Sequence, residues 1–539
     1  MSKWFAAAII GAAAASVAAV STATAPQQSA GDYASLTAVH QEFQAIRRPV
    51  ASGGVPDYSP ARLAAQLNTL RALRARLDAI DPHRWPVPQQ VDYLLVRAGM
   101  DALDFDHRVM KPWLRDPGLY VDAVKRLPFV ETPLPADKVA AFQDTLRAVP
   151  SVLDVARQNL KEPAGELTRM ALAHLEHSDG VNEDEPRRVT DYPEGTIGWY
   201  QDLVSRLQKS QPNLVPDAQR ALGAVTAYRD WLRGVEPRAT GPAAIGLDHF
   251  NWYVKHVRLM PYTASDMRVV SDVEFARART FLKIEENRNR RQPPMTFASS
   301  AAEHERRLRD AEALIKAFTK EHQLMTIPEN LPPFPTDAFW RVRPDGRHHF
   351  WEQLTYRDPL DNHLHASIPG HQFDGQFARK HENPIRRAFQ DGPRVEGWGF
   401  YLEEMYLQAG LLDNRPHARE LFYIAQLARA ARIPAELRMQ TAEFSLQQAI
   451  DYMIAEVPFM DPYLARYDLE IYLRRPAYGM NYIMGKLQLE QLLSDRAHQL
   501  GERFSLGTFH DDLLGLGWIP VSLARWEMTG LDNEVKQLW

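Results

Sequence analysis

The 539-residue chain contains no cysteine. That excludes disulfides, thiol nucleophiles and Cys-ligated metals together. Strand-like alternation is scarce, and no repeat of 20–50 residues is visible. There is no long Lys/Arg-rich block, and the formal net charge is −5, so nucleic acid is not an expected partner. Only one extended apolar run occurs, the mostly alanine stretch from Trp4 to Val20, with Lys3 before it and small residues from Ser21 to Ala25 after it. Basic, apolar and small segments in that order describe a secretory signal peptide. The run is short for a membrane span, and alanine is only weakly apolar. Residues 1–25 are therefore expected to be removed, leaving an exported protein, periplasmic or extracellular, with no stable membrane span. With no cysteine behind the run, no lipid anchor is expected there.

What the chain has in quantity is core material. Hydrophobic residues make up 45%, with 12 Trp, 19 Tyr and 22 Phe, which indicates a packed globular protein. Leu63, Leu67, Leu70, Leu73 and Leu77 recur at three- and four-residue spacing behind Pro60, the stripe of an amphipathic helix opened by proline. Similar patterns run over Tyr93–Phe105, Ala136–Leu160, Thr196–Gln208, Ser265–Arg288 and Ala301–His322. Asp179–Pro193 and Pro237–Pro242 read as loop and linker. Trp340–Arg357, with His348 and His349 inside it, is the best candidate for a short β excursion. Further helices are expected over Pro416–Ala431 and Pro434–Ala455. The expected class is all-α with minor β near the site. An N-terminal helical part (32–240) and a C-terminal helical part (241–539) are expected to form one unit.

The chemistry concentrates between Asp361 and Gly397. His365-Ala-Ser-Ile-Pro-Gly-His371 sets two imidazoles six residues apart across a Pro-Gly break, and Glu396-Gly397-Trp398 follows 25 residues later. Two His and one Glu are the ligand set of a catalytic zinc site with one position left open. On a straight helix, six residues turn ~600°, which leaves the imidazoles about 120° apart. A break at Pro369-Gly370 is therefore required if they are to meet. By spacing alone, the three residues could equally be unrelated.

These motifs resemble those of the bacterial family called domain of unknown function 885, whose members carry H-E-x-x-P-G-H and E-G-W-A-L-Y-x-E. Here the second reads Glu396-Gly397-Trp398-x-x-Tyr401-x-Glu403. The likeness continues through Phe444–Met453, Pro476–Gly485 and Phe509-His510-Asp511, collinear from about Asp32 to the C-terminus. The resemblance implies a helical fold of the metallopeptidase type with a cleft between helical halves. It implies a zinc ion held by His365, His371 and Glu396, and hydrolysis of a peptide or amide-like substrate.

Departures from the pattern are as specific as the matches. Ala366 stands where the family carries the Glu that would take the water proton. Aligning Arg429-Ala-Ala-Arg432 with the family's R-A-x-R-L-V-V-D-T-G-x-H puts Gln440 at a His and Glu436 at an Asp, and Tyr478 replaces a Gln. Glu403, Glu404 and His363 are the candidates for a relocated base, and Glu403 and His363 are each also readable as supporting residues. Tyr482 is a candidate oxyanion donor or a scaffold tyrosine. His510 reads as packing at the C-terminal helix or as orienting a partner, and Arg474-Arg475 as a solvated edge or a holder of substrate carboxylate. Three readings remain open: a zinc hydrolase with a relocated base, a pseudopeptidase that binds a partner without turnover, and an enzyme of changed chemistry in which zinc acts as a Lewis acid and no base is needed at position 366.

Overall fold

Helix starts in this chain are written in local chemistry. Asp32, Ser300, Asp391, Asp461 and Ser505 each accept a backbone N–H of the helix they open. Thr263 with Asp266 and Ser445 with Gln448 close capping boxes. Pro60 opens Pro60–Asp78, where Leu63, Leu70, Leu73 and Leu77 face inward as their spacing predicts. The computed structural model describes residues 32–49, 51–52, 55–125, 129–177, 195–331, 334, 340–341 and 346–538. The apolar leader (1–25), the loop at 179–193 and parts of the Pro-rich connector after Ile327 lie outside the described residues.

The fold is all-α, 72% helical with almost no strand. Among the described residues the strands are Ala51–Ser52 and Val55–Pro56, paired antiparallel. The β excursion expected over Trp340–Arg357 is not found in its described part, which instead carries the helix Phe350–Thr355. His349 opens this helix with Glu352 in a capping box, so the aromatic-polar mixture there reflects a capped helix.

A second difference concerns Pro434. The expected break there is absent, because Ala418–Gln440 is one helix with Pro434 inside it. Proline leaves the carbonyl four residues back without its helical donor. That carbonyl belongs to Ala430, and the buried Ser271 hydroxyl donates to it at 2.8 Å. A side chain from the Ala264–Asn289 helix thus replaces the missing bond.

Three apolar cores organise the helices. The largest combines Leu36–Leu103 with side chains from Phe350 to the C-terminal Leu538. A second lies within Val55–Leu232. A third joins Phe105, Phe250 and Met267 to Phe400, Ile433 and Tyr482. The helices Gly392–Ala409 and Ala418–Gln440 are almost wholly buried, and with the buried first half of Asn481–Leu500 they pack around the His-x5-His segment. Among the described residues, no helix is long and apolar enough to cross a membrane.

Candidate metal centre

His365 sits in the last turn of Leu360–Ala366, and His371 is the first residue of His371–Ala378. Between them the chain turns back through Ser367–Gly370. Gly370 has φ −73°, so left-handed backbone is not what requires glycine here. Space is the requirement: a Cβ at this position would lie 1.9 Å from the His365 carbonyl oxygen. Trp398 holds the turn from the other side, its indole N–H donating to the Pro369 carbonyl at 3.0 Å. The P-G-H and E-G-W motifs are therefore two halves of one contact.

The turn brings His365 Nε2 and His371 Nε2 to 3.0 Å. Glu396 Oε2 lies 3.5 Å from the first and 3.3 Å from the second. His365 is fully buried and Glu396 nearly so, while the His371 side chain is 26% exposed, so the group opens on the His371 side. Burial works against the charge of Glu396, yet His371 and His365 hold its carboxyl well below the usual range. Burial and then Arg429 lower His365, against the pull of Glu396, which favours neutral imidazole. Tyr478 donates to the other carboxylate oxygen of Glu396 at 3.4 Å.

The far edge of His365 is also fixed. Glu403 Oε1 lies 2.6 Å from Nδ1, and Arg429 contacts both Glu403 oxygens, at 2.5 and 2.7 Å. Burial pushes the Glu403 carboxyl up to about 7, against Arg429. The two-oxygen contact with the guanidinium identifies the carboxylate as the form the site is built around. His365 Nδ1 then carries the proton, and Nε2 presents a lone pair toward His371 and Glu396.

Glu396 and Glu403 are seven residues apart, two turns on one helical face, and the imidazole lies between them. Gly399 makes the space, since a Cβ there would come 2.7 Å from His365 Nδ1. Neither Gly399 nor Arg429 receives a role in the sequence reading. The available signal is a glycine between two glutamates on the same helix face.

The fit to a metal can be tested on these distances. Zinc bonds of ~2.0–2.1 Å arranged tetrahedrally give ligand separations of roughly 3.3–3.4 Å. The observed separations are 3.0, 3.3 and 3.5 Å, and the donor atoms all lie within 4.8 Å of one another. Glu396 Oε2 is buried without a hydrogen-bond donor of its own. Two imidazole nitrogens and one carboxylate suit Zn²⁺.

Of the remaining candidates, Glu404 and His363 engage groups outside this trio, whereas Glu403 and Tyr482 contact His365. Glu403 is held at both oxygens, by Arg429 and by His365 Nδ1, on the ring edge away from His371 and Glu396. Glu404 lies among Arg277 and Lys486, ion-paired with both. His363 points to Glu312, 3.3 Å away on Ala301–Glu321; two residues on from it, His365 is turned ~200° away. Tyr482 does reach the site, its ring stacked 6.2 Å from that of His365. Burial, with Glu396 adding to it, keeps its hydroxyl protonated well beyond the usual range.

Ala366 is buried, a methyl beside the first ligand. Gln440 bonds the Tyr472 carbonyl and the Ile245 N–H, so it joins scaffold segments. Glu436 receives the N–H groups of Tyr478 and Gly479. His510 is a packing residue between Tyr401 and the Leu324 carbonyl. Arg474 is tied to Asp116 and Asp122.

No curated protein matches the chain. A solved structure from Shewanella oneidensis, described as "a putative lipoprotein of unknown function", is similar over 93% of this chain and all of its own, with 16% identity and a TM-score of 0.72. Another, described as "the putative lipoprotein from Colwellia psychrerythraea", is 14% identical over 92% of this chain and 98% of its own, with a TM-score of 0.68. At these identities the likeness is one of fold. The model of the family "Bacterial protein of unknown function (DUF885)" matches residues 43–528. The chain belongs to that family.

Proposed function

We propose that this protein is an exported zinc-dependent hydrolase of the metallopeptidase type, acting on a peptide or amide-like substrate with altered proton transfer. The observation that carries the reading is the convergence of His365 Nε2, His371 Nε2 and Glu396 Oε2, with the first oriented by Glu403 and Arg429. A bound zinc ion would supply Lewis-acid activation of a water or a substrate carbonyl. The chain supplies the rest. Glu403 keeps the proton on Nδ1 of His365, and Tyr478 fixes the rotation of the Glu396 carboxylate. Tyr482, protonated and beside His365, is available to donate to a developing oxyanion. A cleft between helical halves, with the trio at its floor and His371 toward the opening, belongs to the same proposal.

Position 366 is where this site departs from an efficient one. A general base typically contributes 10²–10⁴-fold, and a buried methyl contributes none of it. Zinc-dependent turnover is therefore expected to be slow. The same observation favours a second reading, a pseudopeptidase that keeps its metal cage and binds peptide without turnover, because Glu403, Glu404 and His363 all have partners already.

Wild type and Ala366→Glu, both loaded with zinc, should be compared on a peptide library. Slow zinc-dependent cleavage by wild type, raised about 10²-fold or more by the substitution, is the expected result. Cleavage by the variant alone would establish the pseudopeptidase reading, and cleavage by neither would overturn the hydrolase reading.

Export is supported by the leader-like segment 1–25 and by the lipoprotein descriptions of both structural neighbours. This chain has no cysteine to carry a lipid. Mass analysis of the protein from the periplasm or medium should show a chain shortened by about 25 residues.

A further inference from the structure

The Ala264–Asn289 helix buries Met267, Ser271, Ala278, Leu282 and Glu285, and Ser271 bonds into the Ala418–Gln440 helix. Its outer face is different. Val269, Val273 and Ile284 are 61%, 59% and 52% exposed, in line with exposed Ala276 and Thr280. At 100° per residue, these five positions fall within an arc of about 80°. Single exposed apolar side chains need no explanation, but a continuous stripe marks a contact surface. None of the described residues covers it.

We propose that this stripe pairs with the same stripe of a second copy of this chain, antiparallel about a twofold axis. The spacing is self-complementary. Setting Val269 opposite the partner's Ile284 sets Val273 opposite Thr280 and brings Ala276 beside the axis. The charges on the two flanks obey the same register. Asp272 and Arg279 lie on one side of the stripe, and each meets the other across the pair. Asp266 and Arg288 lie on the opposite side and do the same. All four are exposed. Symmetry makes this four ion pairs of opposite sign. In a parallel pair the two copies of one flank fall on opposite sides of the seam, so Asp272 meets the partner's Arg279 only in the antiparallel arrangement. Within its own chain, Arg279 also meets Glu456 at 2.5 Å, which limits its swing and holds it at the flank.

The size of the surface sets the strength. A 26-residue helix is about 39 Å long and ~10 Å wide, a face of roughly 400 Å². Standard interfaces bury ~800 Å² per partner. The pair is therefore a weak, reversible dimer with a dissociation constant of about micromolar or above.

The absence of native cysteine makes the register directly testable in the full chain. Ala276→Cys is expected to form a disulfide-linked dimer on mild oxidation. Val269→Cys is not, because its own copy lies about 22 Å along the axis, beyond the ~7 Å that a disulfide spans. Mixing Val269→Cys with Ile284→Cys chains should give the mixed dimer. Sedimentation equilibrium over about 1–300 µM should show reversible dimerisation, weakened about tenfold or more by Val273→Glu. Asp272→Arg should weaken it, and adding Arg279→Asp should restore it. A monomer over the whole range overturns the proposal, as does equal cross-linking of Ala276→Cys and Val269→Cys. A monomer whose binding to phosphatidylglycerol vesicles is lost on Val273→Glu would assign the stripe to a membrane surface and equally overturn it.

Discussion

Replacing Glu403 by Gln is the sharpest single perturbation of the site, because it should separate stability from metal affinity. The wild-type carboxylate touches His365 Nδ1 at 2.6 Å and Arg429 through both oxygens, all fully buried. Glutamine keeps the size and one acceptor, but it loses the charge and turns an NH₂ toward a guanidinium. Leaving a buried charge without its partner costs about 3–5 kcal/mol, which urea unfolding should register as a lower midpoint. Losing the partner of a metal-ligating imidazole weakens binding by about 10–100-fold, which competition with a chromophoric zinc chelator measures. The double variant Glu403→Leu with Arg429→Met removes the buried pair entirely. Its stability should recover most of the loss, since apolar replacements of buried pairs are often neutral. Its zinc affinity should stay low, since Nδ1 has no acceptor. If Glu403→Gln holds zinc within twofold of wild type, Glu403 does not set the imidazole tautomer, and the reading of the site is wrong at that point.

Gly399→Ala should lower zinc affinity without a large loss of helix, because its Cβ meets the His365 ring at 2.7 Å; overpacking of this kind costs about 1–3 kcal/mol, and chelator competition beside circular dichroism would separate the two effects. Trp398→Phe should cost about 1–3 kcal/mol in urea unfolding by leaving the Pro369 carbonyl buried without its donor. His510 provides a pH test. Burial lowers its pKa to about 4, against an ordinary value of ~6.5, so between those values the unfolded chain binds the extra proton. Its contribution to stability is present above about pH 6.5 and is lost as pH falls toward 4, by about 3 kcal/mol. The stability gap between wild type and His510→Gln should shrink accordingly from pH 7 to pH 4, and an unchanged gap would refute the assignment.

Much of the fold could be read from periodicity, and the reasons it could not be read everywhere are physical. Pro60 and the leucines behind it obey local rules, so the helix they form was visible. Pro434 looked like a break because the donor that replaces its missing bond, Ser271, lies 163 residues earlier in the chain. His349 and Glu352 looked like part of a strand because a capping box on a short helix has no period to detect. At the site, the three ligand positions came from motif likeness, while helix spacing alone argued against them until a turn intervened. What the motifs did not reveal was the supporting layer. Arg429 and Gly399 act through contacts made across helices, and the partners of His363 and Glu403 are likewise non-local.

The central claim is that His365, His371 and Glu396 hold one zinc ion. Purified protein, saturated with zinc, dialysed and measured by plasma mass spectrometry, should carry one equivalent, and His371→Ala and Glu396→Ala should each lose it while remaining folded. Less than about half an equivalent in wild type, or full retention by both variants, would contradict the claim.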